Sequence, residues 1–106
     1  MINVEFNPIE HEVTVKGHAG YDEEGKDIVC ASASALLYTI KHSLEKAVEM
    51  LENDTLKLSV KKGDASIRCT PKAEYEANVD VIFWTVLNGF EALAEGFPEY
   101  VTLTIK

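Results

Sequence analysis

Two hydrophobic periods run through this chain, and their order restricts its fold more than any other feature. Ile2, Val4 and Phe6 alternate with Asn3, Glu5 and Asn7, and Val13 and Val15 alternate with Glu12, Thr14 and Lys16. A period of two sends successive side chains to opposite faces of a strand. Leu56, Leu58 and Val60, then Ala65, Ile67 and Cys69, repeat the pattern on either side of Gly63-Asp64, a hairpin signal. Val101, Leu103 and Ile105 repeat it once more. Two other segments keep a helical period. Ala33, Leu36, Leu37, Ile40, Leu44, Ala47, Val48 and Leu51 share a face over residues 30–51. Val79, Ile82, Phe83, Val86, Phe90, Leu93 and Ala94 share one from the late seventies to about 95, before the stop signals Gly96 and Pro98.

The resulting order is ββαββαβ. Each strand is polar on one side, whereas an all-parallel sheet covered on both faces would show unbroken apolar runs. The expected fold is therefore α+β in two layers, with both helices on one face of a five-stranded mixed sheet. With 106 residues and no repeat or linker, one domain over 1–106 is expected.

Charge narrows the partners. Eighteen acids against ten bases give a net charge of −8. A nucleic-acid backbone would be repelled by such a surface, and a basic partner would be attracted. No stretch is apolar for long enough to span a membrane, and the first residues lack the pattern of a signal peptide. The cytoplasm is the expected compartment. There, Cys30 and Cys69 should be free thiols.

The stretch Gly17-His18-Ala19-Gly20, an acidic loop, and Asp27-Ile28-Val29-Cys30-Ala31-Ser32-Ala33-Ser34 carries the candidate chemistry. His18 falls where the second strand runs out, and Cys30 at the start of the first helix. A helix start offers unpaired N–H groups and a positive dipole end, a setting that favours a thiolate nucleophile. A nearby imidazole can take the thiol proton and return it to a leaving amine, and helix-start N–H groups can hold an oxyanion. The small residues after Cys30 leave room for a substrate backbone. Gly17 and Gly20 would let the loop bend. One His and one Cys are too few for a metal site. By residue type and spacing alone, a Cys at a helix start is more often a small buried hydrophobe, and a His at a strand end more often a surface residue.

These two runs resemble the signature of the Prp family of ribosomal-processing cysteine proteases, roughly G-H-A, a loop, then D-[IV]-V-C-A-A-V-S. The element order, the Gly-Phe-Pro turn before the last strand and the twelve-residue step from His18 to Cys30 extend the likeness along nearly the whole chain. The departure is Ser32-Ala33, where the family has Ala-Val. The resemblance implies a dimeric α+β cysteine endopeptidase without a cofactor. It would remove the N-terminal extension of large-subunit ribosomal protein twenty-seven, after a Phe. Cys30 would be the nucleophile and His18 the general base. Asp27 and Ser34 would support the site.

Other readings stand beside these. Asp27 caps the helix, orients His18, or does both. Ser34 supports the site or bonds back to its own helix. Asp22, Glu23 and Glu24 form either a solvated tip or a grip for a basic peptide. Residues 19–26, with Tyr21 as sole apolar anchor, are expected to be disordered without substrate. Cys69 reads as a core thiol, and His11 and His42 as surface or internally satisfied residues. Trp84 covers the core edge or marks a dimer surface. Lys57, Lys61 and Arg68 read as a solvated face. The competing function is a non-catalytic module that binds a basic ribosomal protein or assembly factor.

Overall fold

The computed structural model describes residues 1–106. Seven main elements follow the expected order: β1 (Ile2–Asn7), β2 (Glu12–Lys16), α1 (Ile28–Lys46), β3 (Lys57–Lys61), β4 (Asp64–Arg68), α2 (Glu76–Gly96) and β5 (Val101–Ile105). One sheet runs β3-β4-β2-β1-β5. Only the β1–β5 pair is parallel.

The strand register sorts the two faces. Leu58, Ile67, Val13, Phe6 and Ile105 lie in one cross-strand row, and Ser59, Ser66, Thr14, Glu5 and Thr104 in another. Because side chains alternate, these rows face opposite ways. The apolar face meets both helices in a core that includes Phe6, Val13, Ile40, Leu44, Ile67, Phe83 and Phe90. Leu87, outside the expected stripe of α2, is also buried, so the stripe is wider than its period shows. Trp84 meets Phe6 edge-on at 5.1 Å, covering the core edge. Lys57, Lys61 and Arg68 are exposed on the polar face.

The first helix differs from the expected 30–51 span. It begins two residues earlier and ends at Lys46, followed by a 3-10 turn at Val48–Met50. Leu51 still reaches the core, through a bridge to Pro71, but Val48 is exposed. The cause is a long-range pairing: Glu52 N–H donates to Thr70 O at 2.9 Å, and Lys72 N–H to Met50 O at 2.9 Å. Those bonds draw the chain sideways where its period alone would continue the helix.

No helix is long and apolar enough to cross a membrane.

Candidate active site

The start of α1 is built around Asp27. Its Oδ1 accepts N–H bonds from Val29 at 3.0 Å and Cys30 at 2.9 Å, capping the helix. Its Oδ2 accepts from Tyr21 at 3.0 Å and Asp22 at 3.3 Å. One carboxylate thus holds both the backbone of Cys30 and the preceding loop. Of the alternatives for Asp27, the cap is realised, and none of its bonds goes to His18. Of the helix-start N–H groups, those of Val29 and Cys30 are engaged by this cap.

Cys30 is half-buried in the first turn of α1, and its Sγ accepts the Ala19 N–H at 3.4 Å. His18 follows β2 and is exposed. Its carbonyl accepts the N-terminal ammonium of Met1 at 2.6 Å. Gly17, at φ 99°, is required there, because a Cβ would stand 2.1 Å from Met1 O. The His18 ring lies against Gly63 of the β3–β4 turn, where a Cβ would come 2.5 Å from Nε2. Gly63, which the sequence marks only as a turn residue, therefore also makes room for the imidazole. No sequence pattern could have shown this, since the contact depends on Gly17 N–H bonding Gly63 O at 2.9 Å across the sheet.

His18 and Cys30 line one cleft of about 780 Å³, as do Gly17, Gly20, Asp22, Glu24, Asp27 and Ser34. Ser34 lies one turn beyond Cys30, on the same side of α1. The bond back to helix backbone is made instead by Ser32, to Ile28 O at 2.7 Å. Leu37 and Tyr38 of α1 and Val60 of β3 give the same cleft an apolar lining.

The loop over residues 19–26 is folded down, contrary to the expected disorder. Ala19 is buried, Asp27 holds two loop amides, and the Tyr21 ring meets Phe97 at 5.4 Å and Tyr100 at 5.2 Å, edge-on to both. One aromatic anchor suffices because the turn before β5 presents two rings to it. The acidic tip is also tied down. Glu23 pairs with Lys26 at 2.8 Å, and Glu24 pairs with Lys62. Glu23 itself does not line the cleft. The hydrogen bond and charge of Lys62 hold the Glu24 carboxyl below its usual range, against a small effect of burial, with a lesser contribution from His18.

Partial burial raises the Asp27 carboxyl, but backbone N–H bonds from Cys30, Asp22, Tyr21 and Val29 outweigh it and leave the group below its usual range. A depressed folded-state pKa means that the ionised form stabilises the fold above the ordinary value of about 4. That contribution disappears as pH falls through the lower folded value. Asp27→Asn should therefore lower thermal stability at pH 6, and the difference from the parent should shrink towards pH 2.5. Melting curves across that range, with amide exchange at Tyr21, will check it. An unchanged difference at every pH would contradict the charge-based account.

Cys69 is buried just beyond β4, and burial pushes its thiol up to about 11. His42 is exposed on α1. His11 is buried, with Nε2 at 2.7 Å from Asp80 Oδ1.

Comparison with known proteins agrees with this architecture. A family profile described as cysteine protease Prp matches residues 1–102. The ribosomal processing cysteine protease Prp of Mycoplasma genitalium is 27% identical over 100 residues, covering 94% of this chain and 93% of the relative. An essential ribosomal processing protease Prp from S. aureus, crystallised with a covalently linked product peptide, superposes with a TM-score of 0.81 at 28% identity over the full length of both chains. The S. mutans protein SMU.848 superposes with a TM-score of 0.67 at 28% identity, covering 98% of this chain and 90% of the other.

Proposed function

Because the chain belongs to the Prp family of cysteine proteases, we propose that it is an endopeptidase with Cys30 as nucleophile and His18 as general base. The observation that carries this reading is that both side chains line one cleft, Cys30 on the capped start of α1 and His18 at the end of β2. His18 takes the Cys30 proton, and the thiolate attacks the scissile carbonyl. A C–S bond forms and the carbonyl electron pair moves to oxygen. Val29 and Cys30 N–H groups are engaged by Asp27, so the Ala19 N–H, already directed at Sγ, is the donor assigned to the developing oxyanion. His18 then protonates the departing amine as the C–N bond breaks. Water cleaves the thioester, releasing the acid and restoring the thiol.

Supporting roles follow from placement. Asp27 fixes Cys30 and the loop, Gly17 and Gly20 shape the backbone around His18, and Ser34 faces the substrate beyond Cys30. Asp22, Glu23 and Glu24 would grip a basic peptide, with Asp22 the one of the three not already paired with a lysine. The substrate is the N-terminal extension of large-subunit ribosomal protein twenty-seven, a reading supported by the motif resemblance and the acidic surface. The relative from Mycoplasma genitalium is likewise a ribosomal processing protease. The net charge of −8 supports action on the free ribosomal protein rather than on RNA. The protein works in the cytoplasm as a homodimer. Trp84 and Val81, 40% and 64% exposed and three residues apart on α2, supply an apolar outer surface for pairing.

Thiol labelling separates this reading from a non-catalytic binding module. At neutral pH, Cys30 should react with iodoacetamide on the order of 100-fold faster than buried Cys69, and His18→Ala should slow Cys30 alone. Equal, slow labelling of both thiols would count against catalysis. The direct test is incubation with a peptide spanning the ribosomal extension, which the parent should cut once.

A further inference from the structure

At the end of the β1–β2 hairpin far from the cleft, a second group of side chains converges. His11, between β1 and β2, is one-twentieth exposed and is the sole buried polar residue. Its ring lies 6.0 Å from that of Phe83, and its carbonyl accepts the Cys69 N–H at 3.2 Å. Ring and backbone are thus both held. Nε2 points at α2, 2.7 Å from Asp80 Oδ1. Glu76 stands one turn before Asp80 on the same helix face. One ligand atom from each of His11, Glu76 and Asp80 lies within 4.8 Å of the other two.

We propose that His11, Asp80 and Glu76 bind a divalent transition-metal ion, with Zn²⁺ the best fit. An imidazole nitrogen with two carboxylates suits Zn²⁺, whereas Ca²⁺ and Mg²⁺ take oxygen ligands. Ligands about 2.0 Å from a tetrahedral ion stand roughly 3.3 Å apart. The His11–Asp80 pair need open only slightly to reach that spacing. Glu76 closes the remainder by rotating its exposed side chain. Asp80 is 40% exposed in its side chain, so solvent reaches the position and can supply the fourth ligand. The ion takes the place of the direct hydrogen bond between His11 Nε2 and Asp80 Oδ1, and a proton carried by Nε2 passes to solvent. It clamps the β1–β2 turn to α2, independently of the cleft chemistry.

The test uses the full chain carrying Cys30→Ala, which removes the accessible thiol as a competing ligand. Calorimetric titration with Zn²⁺ should show one equivalent bound and a rise in melting temperature. Glu76→Gln, at the exposed first residue of α2, should weaken binding about tenfold or more while lowering the metal-free melting temperature by only a few degrees, through loss of its charge at the helix start. His42→Ala should leave binding unchanged. Co²⁺ should give a visible absorption band that Zn²⁺ displaces. No binding in the Cys30→Ala chain would overturn the proposal, leaving His11 and Asp80 a hydrogen-bonded pair only. Equal affinity in Glu76→Gln, or loss of binding in His42→Ala, would also overturn it.

Discussion

Cys30→Ala should abolish cleavage of the ribosomal extension peptide, with a melting curve close to the parent's. Removing a covalent nucleophile costs on the order of 10⁴-fold or more in kcat, because the remaining site can only bind and polarise the carbonyl. The fold should largely tolerate the change, at the cost of the Ala19 N–H bond to Sγ. Cys30 is half-buried, and the bonds that start α1 run from backbone N–H to Asp27, so they survive. His18→Ala should lower kcat by roughly 10²- to 10⁴-fold, the usual range for a general base. Cleavage by Cys30→Ala at the parental rate would remove Cys30 from the mechanism. A His18→Ala variant with parental kcat would remove His18 in the same way.

Phe83→Ala should be among the most damaging single changes to stability. Phe83 is fully buried, stacks on Phe6 at 5.3 Å with 19° between ring planes, and also flanks the His11 ring. Its truncation removes a large apolar side chain at the point where α2 meets β1, leaving a cavity that the sheet cannot close. Such changes cost about 3–5 kcal/mol. A domain of this size is stable by roughly 5–15 kcal/mol, so much of the margin disappears. The melting temperature should fall by about 15–30 °C. A fall of only a few degrees in thermal or urea unfolding would show that the Phe6–Phe83 stack is not central to the core.

Element order, the two-layer α+β class and the polar outer face of the sheet were legible in the residues, since each follows from a local period. Ile2, Val4 and Phe6 alternate whatever they pack against, and the helical period of Val79, Phe83, Val86 and Phe90 brings them to one side of α2. The positions of His18 and Cys30 at element ends were equally local. Where the period misled, a distant partner intervened. Val48 and Leu51 continue the stripe of α1, yet the pairing of residues 50–52 with 70–72 ends that helix at Lys46.

Sequence alone determined the elements, their amphipathic faces and the motif through which the chain resembles Prp proteases. Each depends on neighbours a few residues apart. Tertiary structure decided the rest: the space that Gly63 leaves for the His18 ring, the aromatic seat of Tyr21 on Phe97 and Tyr100, the pairing of Glu24 with Lys62, and the burial of His11 against Asp80. These partners are separated by tens of residues and joined only by sheet register and helix packing. Side-chain periodicity carries no record of such distances. Asp27 spans both kinds of information, because one carboxylate oxygen caps its own helix and the other holds the loop that the fold lays beside it.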